Sequence, residues 1–192
     1  MARKQTINSK RKTSRRKERI FTDQSILEEI IRVDHAGEFG ATRIYDGQIA
    51  VFGEKSKIGK TIKHMADQEQ EHIETFEKLI LNHRVRPTVL LPVWNVAGYF
   101  LGVATAMMGE KAAMACTVAV EKVIGEHYQK QAKKLKASNK DLSKVLNEFA
   151  DEELEHRNLA QEHNGEEAFG YRIMKGIIQS GCRGAIKIAE KI

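Results

Sequence analysis

The stretch Ala66-Asp67-Gln68-Glu69-Gln70-Glu71-His72 returns later in the chain as Ala150-Asp151-Glu152-Glu153-Leu154-Glu155-His156, with five of seven positions identical. Each copy contains the pattern Glu-x-x-His. Residues three apart lie on the same face of a helix, so the carboxylate and the imidazole of each copy point the same way. Such a pair can bind one metal ion, and the chain contains it twice.

The repeat extends upstream of both copies. The spacing Glu-x6-Tyr-x2-Gln occurs twice, at Glu38, Tyr45 and Gln48 and again at Glu121, Tyr128 and Gln131. The offset is 83 residues for these positions and 84 for the Glu-x-x-His pairs. The matched spacings predict an internal duplication of a helix pair, in which each pair supplies one lone Glu and one Glu-x-x-His.

The duplication gives a set of six candidate metal ligands: Glu38, Glu69, His72, Glu121, Glu153 and His156. This set resembles that of ferritin-like four-helix bundles with two iron or two manganese ions, where two helices each give a Glu and the other two each give Glu-x-x-His. Carboxylates and imidazoles suit those metals, and a set without Cys argues against structural zinc or an iron–sulfur cluster. A single copy would carry little weight, because such short patterns also arise by chance.

Composition favours one all-α domain. A chain of 192 residues can bury a substantial core, and two prolines leave room for long helices. Cys116 and Cys182 lie in apolar settings, which indicates small buried side chains in a reducing compartment and no disulfide framework.

The net charge of +6 comes from one end of the chain. Residues 1–19 hold nine Lys or Arg and one Glu, so the remainder carries a net charge of −2. We predict a basic, disordered tail over residues 1–22 and a metal-binding domain over residues 23–192. The tail could be a solvated arm, an anchor to anionic lipid or part of a transit sequence. It lacks the apolar stretch of a secretory signal, and nucleic-acid binding is disfavoured because no basic folded surface accompanies it.

An uncharged stretch of 23 residues, Pro87–Gly109, separates the two halves. Its length makes it a candidate membrane span. Pro92, Asn95 and Gly98 weaken that interpretation, and the matched halves must meet in one fold. We favour a bundle helix whose outer face dips into one leaflet, with a true span and an ordinary buried helix as alternatives. The last predicted helix, about Glu166 to Ile192, mixes isoleucines with Lys and Arg, which suits a membrane surface or docking onto the bundle.

Two further features lie close to the candidate ligands. Gly37 and Gly40 flank Glu38, and because glycine inside a helix costs about 1 kcal/mol relative to alanine, we expect them to let another helix or a substrate approach. The alternative is a loosely packed helix. His127 and Tyr128 lie about two turns after Glu121, where they either pack in the core or form a proton or electron relay to the metals.

The longer motifs resemble one family, the 5-demethoxyubiquinone hydroxylases, over about residues 24 to 192. The similarity rests on Ile31-Arg32-Val33-Asp34-His35-Ala36-Gly37-Glu38, Ile44-Tyr45-Asp46-Gly47-Gln48, Arg84-Val85-Arg86-Pro87-Thr88, Ala113-Met114-Ala115-Cys116-Thr117-Val118-Ala119-Val120-Glu121 and Asp151-Glu152-Glu153-Leu154-Glu155-His156. All six ligand positions of that family are matched without substitution.

The resemblance implies a monooxygenase of ubiquinone biosynthesis that hydroxylates the ring of 2-polyprenyl-3-methyl-6-methoxy-1,4-benzoquinol. It implies two iron ions, dioxygen as co-substrate and electrons from NADH. It also implies a peripheral membrane protein, on the matrix face of the mitochondrial inner membrane in eukaryotes or the cytoplasmic membrane in bacteria. Eukaryotic members work with a lipid-binding accessory protein and a biosynthetic complex, and a homo-oligomer remains open.

On this resemblance the four glutamates would hold the irons, with Glu69 and Glu153 as the favoured bridges, and each histidine would complete one ion. The quinol would enter near Gly37, Gly40 and the Pro87–Gly109 segment. No Gly-rich nucleotide loop is present, so electrons would arrive through a small exposed site, a partner or the quinone itself. Two alternatives stay open: a ferritin-like ferroxidase or iron store, and a non-catalytic membrane-binding bundle.

Overall fold

The computed structural model of the chain describes the backbone of residues 2–192 and the side chains of residues 23–192. Six α-helices follow one another in this part: α1 (Ala2–Phe52), α2 (Lys57–His83), α3 (Leu91–Met107), α4 (Glu110–Leu135), α5 (Lys140–Glu162) and α6 (Tyr171–Ala189). A short 3-10 helix, Gly165–Glu167, precedes α6, and no strand occurs among the described residues. The predicted all-α fold is therefore confirmed.

The beginning of α1 differs from the expectation, because the helix is assigned from Ala2 rather than from about Asp23. The predicted disordered tail, residues 1–22, lies outside the residues whose side chains are described. It stays a prediction.

Helices α1, α2, α4 and α5 form the central bundle. One apolar cluster joins Tyr45, Ile62 and Met65 of the first helix pair to Met114 and Val118 of α4. A second joins side chains from both pairs at the other end of the bundle: Ile30, Phe76, Leu135 and Leu146. The candidate ligands therefore lie between two apolar layers.

The duplication is visible in how the second helix of each pair begins. Ser56 caps α2, and its hydroxyl accepts a hydrogen bond from the amide of Gly59 at 2.9 Å. Asn139 caps α5, and its side-chain oxygen accepts one from the amide of Leu142 at 3.1 Å. Both satisfy an amide that the first helical turn leaves unpaired. The two caps are 83 residues apart, which matches the offset of the lone glutamates.

Helix α3 packs along α1 at the closest approach that two backbones allow. A Cβ atom added at Gly102 would lie 2.0 Å from the carbonyl oxygen of Ile44, and one added at Gly47 would lie 2.1 Å from that of Tyr99. Only glycine fits at these two crossing points. Pro92 lies in the first turn of α3, where its missing amide costs nothing, so it does not break the helix.

The uncharged segment and the last helix both differ in part from the expectations. Val93, Val96 and Phe100 of α3 are more than half exposed, so the interpretation as an ordinary buried helix is wrong. No helix in the part of the chain that the structure describes combines the length and apolar character needed to cross a bilayer. The last helix begins later than predicted because Gly170, with φ of 70°, separates the 3-10 turn from α6.

Candidate metal centre

The six predicted ligands meet in the middle of the bundle. Glu38 comes from α1, Glu69 and His72 from α2, Glu121 from α4, and Glu153 and His156 from α5, and none is more than 2% exposed. They form two overlapping groups in which one donor atom from each residue lies within 4.8 Å of the others. The first group is Glu38, Glu69, His72 and Glu153, and the second is Glu69, Glu121, Glu153 and His156. Glu69 and Glu153 belong to both, which is the position of a bridging ligand.

Both imidazoles face the carboxylates with the same ring nitrogen. Nδ1 of His72 lies 3.3 Å from Oε2 of Glu38, 3.4 Å from Oε2 of Glu69 and 3.5 Å from Oε1 of Glu153. Nδ1 of His156 lies 3.1 Å from Oε1 of Glu69 and 3.4 Å from Oε2 of Glu153. Each ring therefore turns one nitrogen inward and the other, Nε2, away from the carboxylates.

The four buried carboxylates lie close together, so positive charge between them is electrostatically favoured. Burial raises the pKa of Glu38 and of Glu121. The Glu69 carboxylate adds to the effect at Glu38, and the Glu153 and Glu69 carboxylates add to it at Glu121. Burial opposes the charged form of His156, yet its contacts with Glu153 and Glu69 raise the pKa of this imidazole to about 10. Burial also acts to raise the pKa of Glu69, but the contacts with Glu38 and the two imidazoles outweigh it and lower that pKa. Buried negative charge therefore favours protons at this site, and it would favour metal cations for the same electrostatic reason.

Several buried donor atoms of this cluster have no hydrogen-bond partner among the described residues. They are both side-chain oxygens of Glu69 and of Glu153, Oε2 of Glu121 and Nδ1 of His156. A buried polar atom without a partner costs about 1–3 kcal/mol, so a fold retains such atoms where something else satisfies them. Carboxylate oxygens and imidazole nitrogens are ligands for iron and manganese, so this donor set fits the predicted pair of ions. Both cysteines are free thiols and belong to neither ligand group.

Two tyrosines hold the lone glutamates across the repeat. The Tyr45 hydroxyl donates to Oε1 of Glu121 at 2.6 Å, and the Tyr128 hydroxyl donates to Oε1 of Glu38. Each tyrosine thus orients the glutamate of the other half. Tyr128 was predicted to lie near the site and does. Tyr45 was missed, although the repeated Glu-x6-Tyr-x2-Gln spacing contained the signal.

Two further residues hold the outer nitrogens of the imidazoles. Nε2 of His72 lies 2.5 Å from Oε2 of Glu152, and Nε2 of His156 lies 3.1 Å from Oε1 of Gln68. Both contacts again cross from one half to the other. Sequence reasoning missed them, although each residue directly precedes a Glu-x-x-His.

His127 does not join the carboxylates. Its Nε2 accepts a hydrogen bond from Nε2 of Gln131 at 2.8 Å and lies 3.9 Å from Oδ1 of Asp34. Asp34 is buried, which raises its pKa, while a hydrogen bond from Gln131 acts in the opposite direction. The structure separates the two predicted relay residues, because Tyr128 contacts a candidate ligand and His127 contacts this outer polar cluster. A relay role for either residue stays a prediction.

An apolar cavity of about 360 Å³ lies between α1, α3, α4 and α6. Its lining contains no charged side chain and includes Gly37, Gly40, Trp94, Leu101, Val120, Ile177 and Ile178. A Cβ atom added at Gly37 or Gly40 would meet no atom within 4 Å, so the missing side chains of these glycines leave open space. The cavity lies in the region where the sequence predicted access to Glu38.

Comparison with known proteins adds to this geometry. A family model described as "Ubiquinone biosynthesis protein COQ7" matches residues 25–189. A Caenorhabditis elegans protein named "NADPH-dependent 3-demethoxyubiquinone 3-hydroxylase, mitochondrial" is 52% identical over 173 residues, covering 88% of this chain and 92% of the relative. A human protein of the same name is 47% identical, covering 88% and 79%. A Rhodospirillum rubrum protein named "3-demethoxyubiquinol 3-hydroxylase" is 42% identical, with the same coverage.

Proposed function

The chain belongs to the family of ubiquinone biosynthesis protein COQ7, and from that premise we propose that it is a di-iron monooxygenase acting on a demethoxyubiquinol. The proposed substrate is 2-polyprenyl-3-methyl-6-methoxy-1,4-benzoquinol. One carbon of this ring still carries hydrogen, and the reaction replaces that hydrogen by hydroxyl. Dioxygen, two electrons and two protons are consumed, and water is the second product. The observation that carries the proposal is the buried cluster of four glutamates and two histidines beside an apolar cavity.

The ligand set divides into two metal positions. Glu38 and His72 would hold one ion, Glu121 and His156 the other, with Glu69 and Glu153 shared between them. Two bound irons supply the reduction of dioxygen and the transfer of one oxygen atom to an organic substrate. The carboxylates balance the charge of the ions, and the Tyr45 and Tyr128 hydroxyls fix the orientation of Glu121 and Glu38.

The apolar cavity is the proposed site of the quinol ring. Gly37 and Val120 of its lining directly precede the candidate ligands Glu38 and Glu121 in the chain. We therefore propose that the quinol ring approaches the metal ligands from this cavity. A lining without charges suits a methylated aromatic ring and excludes bulk water from the reacting atoms. Gly37 and Gly40 of α1 have no side chain, which leaves room for the quinol ring to approach.

The other end of the cavity indicates where the polyprenyl tail would leave. Ile177 lines the cavity and is also 68% exposed. Further exposed apolar side chains lie on α3, on α6 and in the turn before α6: Val93, Val96, Phe100, Phe169 and Ile173. Arg172 and Lys187 of α6 are exposed beside them. An apolar surface with basic residues suits contact with an anionic lipid surface, from which the substrate would enter without crossing water.

The electron source is proposed to be a reduced nicotinamide dinucleotide. The resemblance implied NADH, whereas the names of several relatives state NADPH. The two molecules deliver the same hydride and differ by one phosphate group. A hydroxylation assay with each of them in turn decides which one supports turnover.

We extend the proposal to partners and location. If the chain is eukaryotic, we propose the matrix face of the mitochondrial inner membrane, with a lipid-binding accessory protein and a biosynthetic complex. If it is bacterial, we propose the cytoplasmic face of the cell membrane. A homo-oligomer is compatible with both, and no nucleic-acid partner is proposed.

The decisive experiment is turnover of the purified chain loaded with two equivalents of ferrous iron. The mixture contains ¹⁸O-labelled dioxygen, NADPH or NADH and a short-chain demethoxyquinol, and products are followed by mass spectrometry. A product that is heavier by one labelled oxygen atom supports the proposal. The same product without label, or with iron omitted, would contradict it.

The same experiment distinguishes the hydroxylase from two alternatives, a ferroxidase and a non-catalytic bundle. Iron oxidation without hydroxylated quinol, both alone and with anionic vesicles and the accessory protein added, would favour a ferritin-like ferroxidase. Failure to bind two irons per chain would favour a non-catalytic bundle.

A further inference from the structure

The two histidines of the cluster are held by different chemical groups at matched positions of the repeat. Nε2 of His72 contacts a carboxylate oxygen of Glu152 at 2.5 Å. Nε2 of His156 contacts the amide oxygen of Gln68 at 3.1 Å. Gln68 and Glu152 each directly precede the Glu of a Glu-x-x-His, so the repeat places a neutral group in one half and an acidic group in the other.

This difference changes the strength of the imidazole as a ligand. In both contacts the ring donates its Nε2 hydrogen outward, so that Nδ1 faces the carboxylates and would bind a metal ion that replaces the proton there. A carboxylate acceptor makes the opposite nitrogen more basic than a neutral amide acceptor does, and such outer contacts change metal affinity by about 10- to 100-fold. His72 is therefore the stronger ligand of the two.

The aromatic contacts of the two imidazole rings also differ, and they too favour His72. Phe149 stacks on His72, with ring centroids 3.9 Å apart. Met65 occupies the matched position of the first half, and its sulfur contacts the Tyr45 hydroxyl at 3.9 Å. Tyr45 meets His156 only edge-on, at 6.5 Å between centroids. The ring of His72 is held in one orientation more firmly than that of His156.

A polar pocket lies next to the position of His156. A polar surface pocket of about 310 Å³ includes His156 and Gln68 in its lining, together with His64, Glu155, Asn158, Leu159 and Glu162. His72 is not part of that lining. Water and ions can therefore approach the side of the cluster that contains His156.

We propose that the two metal positions are unequal. The position of Glu38 and His72 binds its ion first and retains it longer, while the position of Glu121 and His156 fills second and exchanges through the polar pocket. Glu152 and Gln68 are positioning residues that set this difference. The inference rests on the two-metal centre of the proposed function and adds an order of binding to it.

The test is an anaerobic titration of the full chain with Co²⁺, followed by calorimetry and visible absorption. The wild type should bind two ions in two steps whose dissociation constants differ by about tenfold or more. Glu152→Gln keeps an acceptor at Nε2 but removes the charge, so the first step should weaken by about tenfold and merge with the second. Gln68→Glu should lower the dissociation constant of the second step towards that of the first, so the two steps should merge in this variant too.

Two further measurements fix the location and the specificity of the effect. Anomalous diffraction from crystals grown with one equivalent of Co²⁺ should show the ion beside His72 in the wild type and beside His156 in the double variant Glu152→Gln, Gln68→Glu. Asp151→Asn makes the same change of charge at an exposed neighbour on α5 and should leave both steps unchanged. Far-UV circular dichroism confirms that every variant is folded.

The outcomes distinguish the inference from the function on which it rests. Two equal steps in the wild type, or a first step that Glu152→Gln leaves unchanged, would overturn the unequal positions while leaving the two-metal centre in place. Absence of any Co²⁺ and Fe²⁺ binding by the folded wild type would overturn the centre itself.

Discussion

The two halves of the molecule, residues 23–109 and residues 110–192, present the same groups to the centre and different groups one layer further out. The lone glutamates, the Glu-x-x-His pairs and the tyrosines Tyr45 and Tyr128 all correspond across the repeat. Around them, several matched positions carry different residues. The second half has His127 where the first has Ile44, and the first half has Asp34 where the second has Thr117. The repeat therefore builds the ligand cluster symmetrically and surrounds it asymmetrically.

The third helix of each half shows the same contrast on a larger scale. Helix α3 lies on α1 at glycine crossing points where the backbones touch, as at Gly102. Helix α6 lies on α4, and its glycines Gly176, Gly181 and Gly184 have no atom within 4 Å of an added Cβ. The close contact fixes one wall of the cavity, and the open one leaves space for it. This inequality in packing accompanies the apolar cavity between α1, α3, α4 and α6.

The largest effect should follow from removing a ligand that both metal positions share. Glu153→Ala and Glu69→Ala, the matched change in the other half, should each abolish iron binding and hydroxylation. Helix content should stay near that of the wild type, because each change removes a buried carboxylate and leaves the apolar layers intact. Iron analysis, product formation and circular dichroism check this.

The control for this pair is Glu148→Ala, which is exposed on α5 and should retain both iron and turnover. Loss of function in one shared-ligand variant but not in the other would break the symmetry of the cluster. Turnover retained in both would remove the cluster from the reaction.

The next largest effect concerns the contact of α3 with α1 and that of α6 with α4. Gly102→Ala should lower the free energy of unfolding by about 3 kcal/mol or more, because its methyl group would collide with the Ile44 carbonyl and push α3 off α1. Gly176→Ala on α6 has free space and should raise it by up to about 1 kcal/mol through helix propensity. Urea unfolding of both variants measures the difference. Equal changes would show that the two third helices pack alike.

The pH dependence of stability tests His127, which has no counterpart in the first half. Burial, together with Lys134 and Lys130, lowers the pKa of this imidazole to about 4. Between pH 6.5 and about 4 the unfolded chain binds a proton that the folded chain refuses, so stability falls as the pH falls through this range. The loss should reach at most about 3 kcal/mol, reduced by the 22% exposure of the ring.

The variant His127→Gln should lose less stability than the wild type on acidification, since a glutamine amide does not titrate. Unfolding free energies of both proteins at pH 7 and pH 4 give the comparison. A wild type and a variant that lose the same stability on acidification would show that His127 is not held neutral.

The smallest effect should come from the cavity wall. Gly40→Val places a side chain in the apolar cavity and should lower kcat/KM for the quinol by about tenfold, equivalent to about 1.4 kcal/mol. Iron content and unfolding should change little, because no atom lies within 4 Å of the added Cβ. Unchanged kinetics with both long-tailed and short-tailed quinols would place the substrate elsewhere.

The candidate site could be predicted far better than its surroundings. The ligands were recognisable because a Glu-x-x-His pair needs only local helix periodicity, and because the duplication made four separate signals agree. The contacts of Tyr45, Glu152 and Gln68 were missed because each joins residues at least 76 positions apart and crosses between the halves. His127 and Tyr128 are neighbours in sequence, yet about 100° of helix rotation sends them to different clusters.

The sequence by itself determined the helical class, the six inward-facing candidate ligands and the family, because these depend on residue type and on spacing within single helices. The tertiary structure alone decided which half holds which side chain, where the apolar cavity lies and which groups contact the two histidines. Those properties depend on how the helices are placed relative to one another. That placement follows from side-chain packing and from backbone contacts such as Gly102 against Ile44, which no local pattern contains.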